Sequence, residues 1–425
     1  MTFKSNQAHR IGVVSTRLIG TDGVSLEAEK WVEVLEQMGQ HCFFLAGQSK
    51  TQPSETMIVP EIFFLHPDIR AIYNEAFNQP IRRPATTEQI HKITQYLKGR
   101  LYDFIRTFGI ELLLVENALA IPLNIPLGLA LTEFIAETGT WTIAHHHDFF
   151  WERKQFLVNC VWEYLNMAFP PHLPSVHHVV INSSAANQLS LRTGISSMLI
   201  PNVMDFDRPL PQPDEYTLDL RSGLEMAEGE YLFLQPTRVV QRKGIEHAIE
   251  FTHRLGMNAR LIITHSAGDE GYEYEQRLMD YARLLDVKIN FVSEVIQPQR
   301  GRTSDGRKIY ALADVYTDAD LVTYPSDLEG FGNAFLEAIY FRKPILVNNY
   351  SIYSIDIKPK GFQVIEFDGY IVESTLRQAR HLLGNPGLMA EMAEHNFRQA
   401  RKYYSYMILE RHLHTLLAEC FGENA

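Results

Sequence analysis

The same opening occurs twice in this chain, and that recurrence limits the folds open to it. Residues 9–16 form a short apolar, β-branched run that reads as a buried strand. Gly20 and Gly23 then mark a loop, Ser25 stands where a helix N-cap is expected, and Ala28, Trp31, Val32, Leu35 and Met38 recur at helical spacing up to Gly39. The next apolar run, 42–46, completes a βαβ unit, whose right-handed crossover places both strands in one parallel sheet. Further on, Tyr231–Gln235 is again a strand and 236–244 a loop, with a helical face made by Ile245, Ala248, Ile249, Thr252 and Leu255 and a strand at 261–264. Between the two copies, residues 201–230 are rich in Pro, Asp and Glu with little periodicity, as a linker would be. Other strands are expected at 112–115, 142–144 and 178–181 in the first half, and at 288–292, Leu321–Tyr324 and 345–347 in the second. The fold class expected is α/β, with two doubly wound Rossmann-like domains facing each other across a cleft. Their expected limits are 1–200 and 201–399, with a C-terminal helix at about 400–425 packing back on the first domain.

Length and charge fit that architecture and exclude others. The chain has 425 residues, enough for two or three domains, and its formal net charge of −12 repels a phosphate-coated partner, so no nucleic acid is expected. Cys42, Cys160 and Cys420 form no CxxC pair and point to reduced thiols in a cytoplasmic protein. The N-terminus lacks the apolar core of a signal peptide. The most apolar stretch, 112–134, contains Glu116, Asn117, Pro122, Asn124 and Pro126, so no transmembrane segment is expected there.

Ligands of doubly wound sheets bind beyond the carboxyl ends of the strands, and four such places carry unusual chemistry. Arg238 and Lys243 lie in the loop before the first helix of the second half, where the helix N-terminus already favours an anion. Arg grips phosphate oxygens bidentately and Lys adds a mobile charge. The segment YPSDLEGFGNAFLEAI places Glu329 in a thin loop with Gly330, Phe331 and Gly332, then Asn333 as a helix cap and Glu337 in the early turns of that helix. Two carboxylates facing one crevice suit sugar and ribose diols. TIAHHHDFFWER holds His145, His146, His147, Asp148, Trp151 and Arg153 just beyond a strand. Consecutive residues there point to alternate sides, so three histidines do not share one metal ion, and a strand-end histidine contacting substrate hydroxyls is the reading preferred. The fourth place is the first loop. Gly20 and Gly23 do not make GxGxxG, and the second strand ends in LAGQ without a ribose-binding acid, which disfavours a redox dinucleotide.

Taken together, R-x4-K (Arg238, Lys243) and E-x7-E (Glu329, Glu337), with IPNVMD at 200–205, INSS at 181–184 and TIAH ending at His145, resemble the GT-B glycosyltransferases. The likeness is to the large retaining family 4 that includes sucrose synthase and sucrose-phosphate synthase. The resemblance implies a hexosyltransferase moving a hexose from a nucleotide diphosphate sugar to a hydroxyl of a small polar acceptor, with retention by front-face attack and no metal or other cofactor. It implies that Arg238 and Lys243 neutralise the diphosphate and that Glu329 holds donor hydroxyls with the backbone of Phe331, Gly332 and Asn333. Glu337 would bind the ribose, His145 the donor sugar, and Gly23 and Gly330 would line the nucleotide-sugar site. TDGVSLE, HHHDFFWER and ENALAIPLN are similar to a prokaryotic subgroup acting on acceptors such as glucosylglycerate. Glu116, Asn117, His146, His147, Asp148, Trp151 and Arg153 are then the candidate acceptor residues. Alternatives are a nucleotide-sugar epimerase of the same fold, a non-catalytic sugar-nucleotide sensor, and a membrane-peripheral transferase using the cations of 81–106. Donor base, sugar and oligomeric state leave no trace in the sequence.

Overall fold

The computed structural model describes residues 8–18, 23–49, 51–267 and 271–422. They fall into two compact units, Met1–Val203 with Tyr406–Ala425, and Met204–Ser405.

The first unit is built on a parallel sheet of seven strands: β1 (Arg10–Ser15), β2 (His41–Ala46), β3 (Thr56–Ile58), β4 (Leu112–Glu116), β5 (Trp141–His146), β6 (Val176–Val180) and β7 (Met198–Leu199), in the order β3-β2-β1-β4-β5-β6-β7. The chain reverses direction of winding between β1 and β4, the switch point of a doubly wound sheet. Both faces are covered, as parallel sheets require. On one side, Ile11, Val13, Leu112 and Leu114 pack against Trp31 and Leu35 of helix Gly23–Gln37 and against Leu409, Leu413, Leu416 and Leu417 of helix Tyr406–Phe421. Those four leucines follow one helical stripe, and burying each is worth about 1.5–3 kcal/mol relative to exposure. On the other side, Val14, Leu113 and Val115 meet helices Pro84–Phe108 and Ile125–Thr138.

The second unit repeats the plan with β8 (Tyr231–Gln235), β9 (Ala259–Ile263), β10 (Lys288–Phe291), β11 (Leu321–Tyr324), β12 (Ile345–Asn348) and β13 (Ile365–Phe367), ordered β10-β9-β8-β11-β12-β13 and all parallel. Two doubly wound sheets are thus present.

Several local expectations change. Ser25 is not a cap: helix Gly23–Gln37 begins two residues earlier and buries Ser25 inside its first turn. Asn333 is likewise the first helical residue, with Gly332 at the cap. The edge strands β3, β7 and β13 are two or three residues long, too short to show periodicity. Residues 204–230 are no free linker but part of the second unit. Tyr216 Oη donates to Gly301 O (2.9 Å) and Ile309 O (2.8 Å), Lys308 Nζ bonds Asp219 (2.6 Å), and Arg221 pairs with Asp318 (2.7 Å). Polar side chains and a few widely spaced buried apolar ones, Phe206, Leu220 and Leu224, hold this strap down, too sparse a set for hydrophobic patterning to reveal it.

Candidate active site

In the second unit the loops after β8 and β11, beside the switch point, bring one group of charged side chains together. After β8, Arg238 stands exposed, and the chain turns through the short 3₁₀ helix Gln241–Lys243 into helix Ile245–Leu255. Gly244 makes that turn at φ +57°, where a Cβ would come within 2.5 Å of Pro325 O in the loop after β11. Glycine is therefore what lets the two loops meet. Asp327 N donates to Arg242 O (2.9 Å) and fastens them together.

Across this junction Lys243 Nζ donates to Glu329 Oε1, and Arg242 approaches Glu329 Oε2 at 3.5 Å. The Lys243 and Glu329 side chains are 12% and 9% exposed. Burial alone would raise the Glu329 carboxyl, but the Lys243 charge and hydrogen bond outweigh it and hold the carboxyl below its ordinary range. Burial pulls Lys243 down, Glu329 pulls it back up, and Arg242 and Arg238 add repulsion, for a net lowering. His265, following β9, is lowered by burial and then by Lys243 and Arg238, so it belongs to the same electropositive neighbourhood. The structure thus brings Lys243 and Glu329 into direct contact, which the spacing alone did not indicate.

Beyond Glu329, Gly330 is exposed and Phe331 and Gly332 are buried at the start of helix Asn333–Tyr340. Gly332 takes φ +128°, with Tyr350 Oη 2.8 Å and Tyr324 Oη 3.0 Å from where a Cβ would sit, and Tyr350 Oη donates to Phe331 O at 2.7 Å. Glu337 accepts a hydrogen bond from the buried Tyr316 hydroxyl at 2.8 Å. Arg242, His265, Tyr316 and Tyr350 are therefore members of this region that sequence reasoning passed over. Only Arg242, adjacent to Lys243, carried a local signal.

In the first unit the histidine run sits on β5 and just past it. Strand alternation sends His145 and His147 to one side and His146 to the other. His145 Nδ1 lies 3.0 Å from Glu116 Oε2 and His147 Nε2 lies 3.3 Å from the same oxygen. Trp31 stacks on His145 with ring centroids 4.3 Å apart. Burial alone would raise the Glu116 carboxyl, but the two imidazoles hold it down at about 2. Glu116 is thus occupied by histidines rather than turned toward an acceptor. His146 leaves the acceptor set altogether, because its Nε2 pairs with His178 Nδ1 (2.9 Å) in the interior and burial keeps it well below the ordinary histidine range.

Asn117, at φ +57°, joins the loops after β4 and β5: its amide donates to Asp148 (3.1 Å) and its carbonyl accepts from His147 N (3.0 Å). Asp148 also holds Arg153. Trp151 stacks on Phe149 at 4.5 Å and lies under Arg192. Gly23 is the first residue of its helix, while Gly20 and the rest of that first loop, 19–22, lie outside the described residues.

The cations of 81–106 are largely neutralised: Arg82 pairs with Glu163, Arg83 with Glu75, Lys98 with Glu133 (2.9 Å) and Glu137 (2.7 Å), and Arg106 with Asp103 (2.6 Å). Fewer unpaired cations are thus left on this face for the membrane-peripheral alternative. No helix among the described residues is long and apolar enough to cross a membrane.

Comparison with known proteins bears on the family and the fold. Residues 218–398 match the family model "Glycosyl transferases group 1". The chain is 32% identical over 422 residues to mannosylglucosylglycerate synthase of Thermotoga maritima, covering 92% of this chain and 95% of that protein. Among solved structures, a glycosyltransferase from Rickettsia africae superposes with a TM-score of 0.69 at 13% identity, covering 97% and 98% of the two chains. Sucrose-phosphate synthase from Thermosynechococcus elongatus does so with a TM-score of 0.65 at 14% identity, covering 97% and 99%. Fold and sequence relatives converge, and the chain belongs to the group 1 glycosyl transferases, as a hexosyltransferase of the GT-B fold.

Proposed function

We propose that the protein transfers a hexose from a nucleotide diphosphate sugar to a hydroxyl of a small polar acceptor, a glycerate glycoside such as glucosylglycerate. The observation that carries this reading is the contact of Lys243 with Glu329 beside the exposed Arg238, at the carboxyl edge of a doubly wound sheet. Breaking an anomeric carbon–diphosphate bond places negative charge on the leaving oxygen. Fixed cations stabilise that charge more in the transition state than in the ground state. Arg238 and Lys243 supply them, so the diphosphate needs no metal ion. Glu329 accepts hydrogen bonds from donor hydroxyls, and Glu337, oriented by Tyr316, takes the ribose. His145 contacts the donor sugar. The acceptor meets the loops after β4 and β5, which Asn117, Asp148 and Arg153 hold in shape. Attack proceeds from the face of the leaving group, the leaving phosphate takes the acceptor proton, and configuration is retained. The relative's name supports the acceptor class, and reduced Cys42 and Cys420, both buried and free, are consistent with a cytoplasmic setting.

The test is a panel of nucleotide sugars offered with glucosylglycerate, with products followed by mass spectrometry and by NMR of the new anomeric centre. Addition of one hexosyl group with an α-linkage from an α-donor is expected. Donor converted without any acceptor, or no glycoside formed from any pair, would overturn the reading.

A further inference from the structure

Glu116, His145 and His147 form a compact set whose mutual contacts the transfer chemistry does not use. Glu116 and His145 are paired neighbours on adjacent strands, β4 and β5, and His147 follows two residues on, facing the same way. One ligand atom from each lies within 4.8 Å of the others. Their side chains are 0%, 0% and 8% exposed for Glu116, His145 and His147. We propose that these three residues bind one divalent first-row transition metal ion.

The donor set is the first argument. Two imidazoles and one carboxylate suit zinc, cobalt or iron(II), whereas Mg²⁺ and Ca²⁺ prefer all-oxygen shells. Geometry is the second. The separations of 3.0 and 3.3 Å from Glu116 Oε2 to the two ring nitrogens are near the roughly 3.3 Å edge of a tetrahedron with metal–ligand bonds of about 2.0–2.1 Å. Rigidity is the third, because Trp31 stacks on His145 and Asn117 accepts from the His147 backbone at 3.0 Å. The nitrogens that face Glu116 carry its hydrogen bonds in the metal-free chain. On metal binding they give up those protons, to solvent or to the other ring nitrogen, and become ligands. Three protein ligands leave at least one coordination position for water or for an oxygen of a bound molecule, on the side of His147, the most exposed of the three. His146, turned into the interior toward His178, takes no part.

The proposal uses Nδ1 of His145 and leaves its Nε2 for the donor sugar of the transferase reading, and it is tested without activity. The full-length chain is stripped with a chelator, dialysed, and titrated with Co²⁺ alone while its visible d–d absorption is followed. Saturation at one Co²⁺ per chain is expected, with displacement by Zn²⁺. Glu116→Gln and His147→Asn are each expected to weaken binding at least ~10-fold, while His172→Ala, at an exposed histidine, binds like the parent. Circular dichroism establishes that each variant is folded, and either one suffices for the comparison. Absence of a saturable signal at one equivalent, or equal affinity in the parent and in a folded Glu116→Gln or His147→Asn variant, overturns the proposal.

Discussion

Replacing Lys243 by Met separates what the Lys243–Glu329 pair does for the fold from what it does for the reaction. Methionine keeps most of the stem volume and removes the charge. The Glu329 carboxylate, 9% exposed, is then left with Arg242 at 3.5 Å as its remaining cation. Removing one partner of a buried pair costs about 3–5 kcal/mol when nothing compensates. Arg242 and partial protonation of Glu329 reduce this, so about 2–4 kcal/mol is expected for Lys243→Met. Glu329→Gln leaves Lys243 charged among Arg238 and Arg242 and is expected to cost about 1–3 kcal/mol. The double variant buries two neutral groups and should lie within about 1 kcal/mol of the parent, giving a coupling energy of roughly 2–8 kcal/mol in magnitude. Urea unfolding of all four proteins measures the cycle, and initial-rate assays on the same samples measure transfer. Stability should return in the double variant while turnover remains at least ~100-fold down, because both proposed roles, phosphate neutralisation and hydroxyl binding, are gone. A coupling below about 0.5 kcal/mol would refute the packing argument. A double variant with near-parental transfer would refute the catalytic one.

Arg238→Ala should lower turnover by at least ~10-fold with little change in the unfolding midpoint, since Arg238 is exposed and a charged hydrogen bond is worth roughly 1.5–3 kcal/mol. Equal loss of stability and activity would assign it to the fold instead. Acid should destabilise the first unit through His178, whose burial lowers it to about 4 from an ordinary 6.5. The unfolded chain takes up a proton that the folded chain refuses, so stability is lost as pH falls from 6.5 toward 4. The loss at pH 5 is about 2 kcal/mol. Denaturant melts at pH 7.5 and 5.0 should show this difference shrink in His178→Gln; an unchanged pH dependence would rule the histidine out.

Much of the fold is legible in the sequence because strands buried on both faces leave long apolar runs. Leu112–Glu116 and Leu321–Tyr324 show this, and the helix faces between them follow a strict period. What escapes is short or held by polar contacts. β3, β7 and β13 are too brief to carry a pattern, and the strap 204–230 docks through Tyr216, Asp219 and Arg221. The site divides the same way. Arg238, Lys243, Glu329 and Glu337 announce themselves through spacing along a loop and one helix. The partnership of Glu116 with His145 and His147 does not, because it depends on registering β4 against β5, a relation across 29 and 31 residues. Tyr316 reaches Glu337 across 21 residues in the same manner.

Charge balance supports the proposed anion site in the loop after β8. The chain as a whole carries −12, yet Arg238, Arg242 and Lys243 fall within six consecutive residues. Glu329 is the acid that meets two of them, Lys243 in direct contact and Arg242 at 3.5 Å, and Arg238 stands in solvent. Among these four side chains the count is three positive to one negative, next to the start of a helix that adds its own partial positive charge. Burial first, and then repulsion from Arg242 and Arg238, lowers Lys243, and a structural ion pair alone would not require the two extra cations. In the proposed reaction a diphosphate would remove the surplus and let Lys243 share its hydrogen bonds between phosphate and Glu329. One carboxylate oxygen would then be freed for a sugar hydroxyl, so the proposal expects anion binding and sugar binding to reinforce each other at this edge of the sheet.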